Sequence, residues 1–330
     1  MDNINCVFEE DYSENFRKAL SNLQLEDLSE EDKAELRFFI ELNRHLKELD
    51  QLFKIFRFHL LNLREQFTLT ISDSLIRNKQ INFEIAKDGS ISNKIKQTEH
   101  EIDDKIAINA LTISLISAGK TLVESIEVLI TSDFSKRFKA PDGLTKEWIS
   151  EIYDENFYYR CIYHMRNFAQ HGHLPVSLNE NKFGFDFYQI LQTPHIKYNK
   201  KHQKQIEDIV AELHEKSAYP RFAYTPIIAG YSICIIQLYF DFLCKIKNTW
   251  SETTKRIRAL FGRYPSNIIK STDSSGDMLV FFFDDVMQAL TLEKNFTNMV
   301  NEYWSSTKDI LDIEKANYNK LVQNTLTRKI

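Results

Sequence analysis

Glycine and proline are scarce, at 8 and 6 in 330 residues. Sandwiches and barrels with many tight turns need more of both, so helices are favoured. Cysteine is also sparse, at four. Cys6, Cys161, Cys234 and Cys244 show no CxxC spacing and sit in or near apolar stretches. That pattern reads as reduced, buried thiols and not as a disulfide framework. There is no excess of positive charge, since the formal net charge is −5. A polyanion would have to be held by a local basic patch. Residues 1–16 (MDNINCVFEEDYSENF) are acidic and lack the charged-then-apolar pattern of a secretory leader, so a cytoplasmic location is expected. Long hydrophobic runs are nearly missing too. The most apolar one, 226–244, carries Ser232, Gln237 and Asp241 and is expected to be a core helix with no membrane role.

What the chain does have is 43% hydrophobic residues, enough for a substantial core. Ser29 followed by Glu30, Glu31 and Asp32 predicts a helix cap with an acidic first turn. Leu42, Leu46, Leu49, Phe53, Phe56 and Leu60 recur at three and four, which predicts a long helix over 30–76. Residues 78–93 break that period around Asp88-Gly89, as a small ribbon or a surface loop would. Helical spacing returns over 99–130, and 132–145 reads as a linker with Pro141 and Asp142-Gly143. One helix is predicted over 145–171, capped by Thr145 and stopped by Gly172 and Pro175. The aromatic segment 182–198 predicts strands or an aromatic loop. Helices follow over 201–216 and 222–259, and 260–330 mixes a strand candidate at 278–283 with polar helical segments. The expected architecture is mainly α: a helical bundle with an extra N-terminal helix and small β insertions, in three regions, 1–98, 99–260 and 261–330.

The informative stretch is 154–175, DENFYYRCIYHMRNFAQHGHLP. On a helix, Phe157, Cys161, Met165 and Phe168 form one apolar stripe. Arg160, His164, Asn167 and His171 lie roughly opposite, with Tyr159, Tyr163, Arg166 and Gln170 between. A solvated face usually carries Lys and Glu. Tyr, Arg, Asn, Gln and His instead suit a partly buried polar surface that must find partners.

Arg166-Asn167-Phe168-Ala169-Gln170-His171 resembles the ribonuclease motif of the HEPN family: Arg, a polar residue, a short variable stretch, then His. The flanking Tyr-Arg and Gln-His-Gly are similar to HEPN proteins of bacterial toxin and phage-defence systems. The resemblance covers about residues 99–250 and implies a HEPN-like helical bundle. It also implies RNA as substrate, no metal, 5′-hydroxyl and 2′,3′-cyclic phosphate products, and a cleft built from two domains.

The chemistry agrees with the residue types. RNA brings its own nucleophile, the 2′-OH. His171 can move protons near neutral pH, Arg166 can hold phosphate oxygens while staying charged, and Asn167 can orient His171 or bind phosphate. On one regular helix Arg166 and His171 point about 140° apart. Pairing two helices about a two-fold axis resolves this, so a homodimer is expected with Tyr159, Tyr163 and Arg166 near its interface. An antitoxin or an activating partner also fits such a protein. The competing reading is a non-catalytic HEPN-like binding or scaffold protein in which Arg166 and His171 are structural.

Weaker signals surround the motif. Lys200, Lys201 and Lys204, beside Tyr198, form a basic run that suits an RNA backbone or a solvated face. Lys245, Lys247, Lys255, Arg256, Arg258 and Arg263 form a second basic zone. Ala118-Gly119-Lys120-Thr121 ends like a P-loop, but position 114 is Ser and no strand precedes it, which excludes that reading. His164, His171 and His173 have no Cys or carboxylate at ligand spacing, so neither metal nor cofactor is expected. Acidic Glu151, Asp154 and Glu155 are placed to meet Arg160 at the surface. Asp284-Asp285 is too isolated for a carboxylate dyad.

Overall fold

A computed structural model describes residues 23–77, 84–85, 91–92, 99–131, 146–179, 182–197, 199–216, 224–270, 276–283, 286–292 and 296–327. Cys6, Asp88-Gly89, the 132–145 linker, Thr145, Tyr198 and Asp284-Asp285 lie outside them. The fold is a mainly α helical bundle with small antiparallel sheets. Packing groups the chain into two units, each drawn from three separated stretches. One comprises Met1–Glu48, Leu129–Leu144 and Phe240–Thr307; the other comprises Leu49–Val128, Thr145–Tyr239 and Lys308–Ile330.

The elements run α1 (Glu30–Arg77), β1 (Glu84–Ile85), β2 (Ile91–Ser92), α2 (Glu99–Thr131), α3 (Lys146–Glu155), α4 (Phe157–Gln170), β3 (Val176–Asn179) and β4 (Lys182–Phe185). They continue with α5 (Phe187–Gln192), α6 (Pro194–Lys197), α7 (Lys200–Lys216), α8 (Tyr224–Arg263), β5 (Ile268–Ile269), β6 (Asp277–Phe283), β7 (Val286–Leu292) and α9 (Met299–Thr327).

Three expectations need correction. Cys161 and Cys234 are buried, but Cys244, also expected to be a buried thiol, is exposed and its Sγ accepts from Trp304 Nε1 at 3.1 Å. The single helix over 145–171 is two helices, because Asn156 leaves the helical region and its side chain accepts a hydrogen bond from Tyr159 N at 3.0 Å, starting α4 afresh. The aromatic segment is half strand and half helix: Asp186 caps α5 by accepting from Gln189 N at 3.0 Å.

In the first unit, Ser29 caps α1: its Oγ accepts from Asp32 N at 3.2 Å and donates to Asp32 Oδ2 at 2.9 Å, and Asp32 is buried against Arg263 at 2.6 Å. Phe39 stacks on Trp250 with ring centroids 5.5 Å apart, and both are fully buried. The sheet runs β5-β6-β7, with Leu279, Val280 and Phe281 of β6 buried. In the second unit, the α1 residues Phe53, Phe56, Leu60 and Leu63 are buried, as are Leu115, Leu122 and Ile126 of α2 and Ile235, Ile236 and Tyr239 of α8.

The segments Asp103–Thr131 and Tyr224–Arg263 are long and apolar enough to cross a membrane by length and composition. Inside the fold, 67% of the most apolar window of α8 is buried, as a core helix requires.

Two α8 glycines should respond oppositely to alanine. A Cβ on Gly230 would meet the Tyr158 ring at Cδ2 and Cγ, and the Tyr158 hydroxyl is hydrogen-bonded to that of Tyr318. Gly230→Ala therefore overpacks and lowers stability by about 1–2 kcal/mol net, despite the better helix former. Nothing lies within 4 Å of a Cβ on Gly262, so Gly262→Ala raises stability by about 1 kcal/mol. Thermal melts of the two variants should shift in opposite directions.

Candidate functional site

The motif occupies the last turns of α4. Its predicted apolar stripe is the one that packs: Cys161 and Met165 are 0% exposed, and Phe157 and Phe168 are also buried. Gly172 adopts φ 84°, a left-handed conformation that suits glycine and ends the helix. Its N–H donates to Ala169 O at 3.0 Å, and His171 N donates to Asn167 O at 3.3 Å. His173 stacks on Phe168, with centroids 4.5 Å apart and planes 14° apart.

Beyond the helix, Asn109 of α2 fixes the chain. Its side chain accepts from Val176 N at 2.9 Å and donates to Val176 O at 3.0 Å, while also donating to Lys105 O. The amide acts as a one-residue strand that anchors the turn after the motif. Sequence reasoning missed Asn109. A polar residue among Ile106, Ala110 and Ile113 is the only trace it leaves.

The motif residues part company in the folded chain. Arg166 is half-buried and lines a narrow cleft with Lys120, Tyr159, Tyr163 and Tyr231. Among the described residues it makes no hydrogen bond or ion pair. Asn167 is half-buried, while Gln170 and His171 are exposed at the helix end. His171 lines neither cavity that Tyr163 lines.

Tyr159 is buried, with its ring 6.0 Å from that of Tyr231, and Tyr163 meets Tyr153 edge to face at 5.2 Å. Arg160 donates to the backbone oxygen of Asp154 and pairs with Glu212 of α7 at 2.6 Å, so its carboxylate partner is not among the nearby acids of its own segment. Lys200, Lys201 and Lys204 are exposed at the start of α7, which Asn199 caps. Lysines in a first turn oppose the helix dipole.

The second basic zone is largely engaged inside its own unit. Arg256 pairs with Glu35 at 2.8 Å and Arg263 with Asp32, while Lys247 lies 4.5 Å from the Trp304 ring centroid and Arg258 5.4 Å from that of Phe296. Those charges hold the fold. The Ala118–Thr121 stretch lies inside α2, as the rejection of a P-loop requires.

His164 faces inward, at 4% exposure, and its Nε2 has no hydrogen-bond partner among the described residues. Burial first, and then the charge of nearby His202, depress its pKa to about 4. The native state thus holds it neutral, while the unfolded chain protonates it below about 6.5. Its contribution is complete above that pH and is lost as pH falls toward about 4. Between pH 7.5 and pH 5 the loss should be about 2 kcal/mol. Urea midpoints should fall more for the parent chain than for His164→Phe; equal falls would show that His164 is not the group.

Comparison of the chain with protein-family models, with curated proteins and with solved structures finds no match, so its local geometry and motif are what its assignment rests on.

Proposed function

We propose that the chain is a metal-independent endoribonuclease of HEPN type, acting as a homodimer in the cytoplasm, and a toxin or anti-phage effector. The observation that carries this is the Arg166-Asn167…His171 set at the end of a short capped helix, with His171 exposed and the Arg166 guanidinium making no hydrogen bond or ion pair among the described residues. A purely structural Arg166 would be expected to spend its hydrogen bonds within the chain.

In this reading the 2′-OH of RNA attacks the adjacent phosphorus, and the 5′-oxygen leaves. His171 moves the proton. Arg166 stabilises charge on the phosphoryl oxygens, and Asn167 orients the imidazole or binds phosphate. The split between Arg166 and His171 around α4 is bridged by a second copy, whose helix presents its own pair to the same backbone. Lys200, Lys201 and Lys204 hold flanking phosphates.

The second reading, a non-catalytic binding protein, is favoured by the turn of Arg166 toward the tyrosine cleft, away from the helix end. Single-stranded RNA incubated with the purified chain in EDTA separates the two. Cleavage lost in Arg166→Ala and His171→Ala, with dimer and helicity kept, supports the nuclease. No cleavage, with folding damaged by either substitution, supports the alternative. If a partner holds the activity off, toxicity on expression should be relieved by His171→Ala.

A further inference from the structure

The second unit holds a cavity that no motif residue lines. It measures about 340 Å³ and lies among α1, α8 and α9. Its floor is apolar, since Leu63, Tyr224 and Ile228 are all buried. Phe67 forms one wall, its ring stacked on Tyr224 with centroids 5.6 Å apart and planes 26° apart. Thr68 and Asn317 stand exposed at the lip. Packed cores leave few gaps larger than a water molecule. An apolar floor, a polar lip and this volume are the features of a small-molecule site.

Which molecule fits follows from the polar groups that are already satisfied. Arg64 and Glu314 are the only charged residues among those described around the cavity. Arg64 donates to both oxygens of Glu314, at 2.7 and 2.5 Å, and Glu314 is buried. The Tyr224 hydroxyl is paired with that of Thr112 at 2.6 Å and the Tyr318 hydroxyl with that of Tyr158, while the Thr68 hydroxyl donates to Arg64 O at 2.8 Å. An anion drawn to Arg64 would leave the Glu314 carboxylate buried without its counterion. A cation drawn to Glu314 would do the same to Arg64. Either change is costly. A neutral apolar molecule breaks none of these bonds and gains the burial of its own surface. A cavity of about 150 Å³ takes one benzene ring, so this one has room for two or three rings.

We propose that the cavity is a binding site for a neutral aromatic molecule of two or three rings, seated against Phe67 and Tyr224, with the Arg64–Glu314 pair turning charged molecules away. The proposal does not rest on the nuclease reading.

Two dyes that brighten on leaving water test it. N-phenyl-1-naphthylamine and 8-anilinonaphthalene-1-sulfonate share one ring system and differ by a sulfonate. Titrated into the full chain, the neutral dye should brighten saturably and bind about tenfold or more tightly than the sulfonate. Ala229→Phe places a ring in the cavity and should weaken the neutral dye about tenfold or more at an undiminished melting temperature. If that variant does not fold, Thr225→Phe, on another part of the lining, supplies the block. Glu314→Gln leaves Arg64 positive, so the sulfonate should bind about tenfold more tightly to this variant than to the parent. No saturable brightening with the neutral dye, sulfonate binding as tight as the neutral dye's in the parent, or parent affinity in a folded blocking variant overturns the site. A sulfonate that gains nothing in Glu314→Gln overturns the role of the ion pair.

Discussion

His171→Ala should slow RNA cleavage by about 10²–10⁴-fold, the range that a positioned proton-transfer group contributes. Arg166→Ala should slow it by about 10²–10³-fold, the effect of losing a charged donor from a developing oxyanion. The double variant should be little worse than the poorer single one if, as proposed, the two groups serve one transition state. Neither change should disturb the fold. His171 is exposed at the cap, and Arg166 is half-exposed with no described hydrogen bond. Changes at such positions usually stay within about 0.5 kcal/mol. Unaltered circular dichroism and melting beside lost cleavage would therefore assign the loss to chemistry.

Asn109→Leu should be among the most destabilising single changes in this chain. Asn109 is 1% exposed and satisfies both backbone groups of Val176. Leucine fills the space but leaves a buried N–H and a buried C=O unpaired. At about 1–3 kcal/mol for each group, the variant loses about 2–6 kcal/mol. That is a large part of the roughly 5–15 kcal/mol that holds most domains together. The melting temperature should fall by about 10 °C. RNA cleavage by the remaining folded fraction should fall as well, since Val176 anchors the turn on which His171 sits. A melting temperature within a degree or two of the parent would show that water satisfies Val176 and that the anchor is dispensable.

The sequence made local features readable. The stripe Phe157, Cys161, Met165 and Phe168 followed from helical spacing alone, and its burial agrees. Gly172 was readable as a stop because few other residues accept its φ. The N-terminal cap at Ser29 and Asp32 was readable because both partners lie within one turn. The break at Asn156 left a signal that was overridden by the continuing helical period: an Asn ahead of an apolar run is a cap pattern.

Other features depend on partners far along the chain. The inward turn of His164 depends on packing around α4 that periodicity does not contain. Asn109 and Val176 are 67 residues apart, and Asn267 reaches Glu26 across 241. β5 is two residues long and finds its register only against β6. The tyrosine cleft needs α2, α3, α4 and α8 together. In the sequence, Lys120 stood only in a false P-loop, because the tyrosines that surround it come from other helices.

The most direct measurement compares two single-stranded oligonucleotides in EDTA: an RNA, and the same RNA carrying 2′-deoxyribose at the nucleotide where the chain cuts. Products are weighed by mass spectrometry. If an imidazole and a guanidinium from paired chains drive attack by the 2′-oxygen, the RNA breaks into fragments ending in 2′,3′-cyclic phosphate and 5′-hydroxyl, and the deoxy-substituted bond stays whole. Cleavage of both strands alike, or an intact RNA after long incubation with the purified chain, contradicts that chemistry.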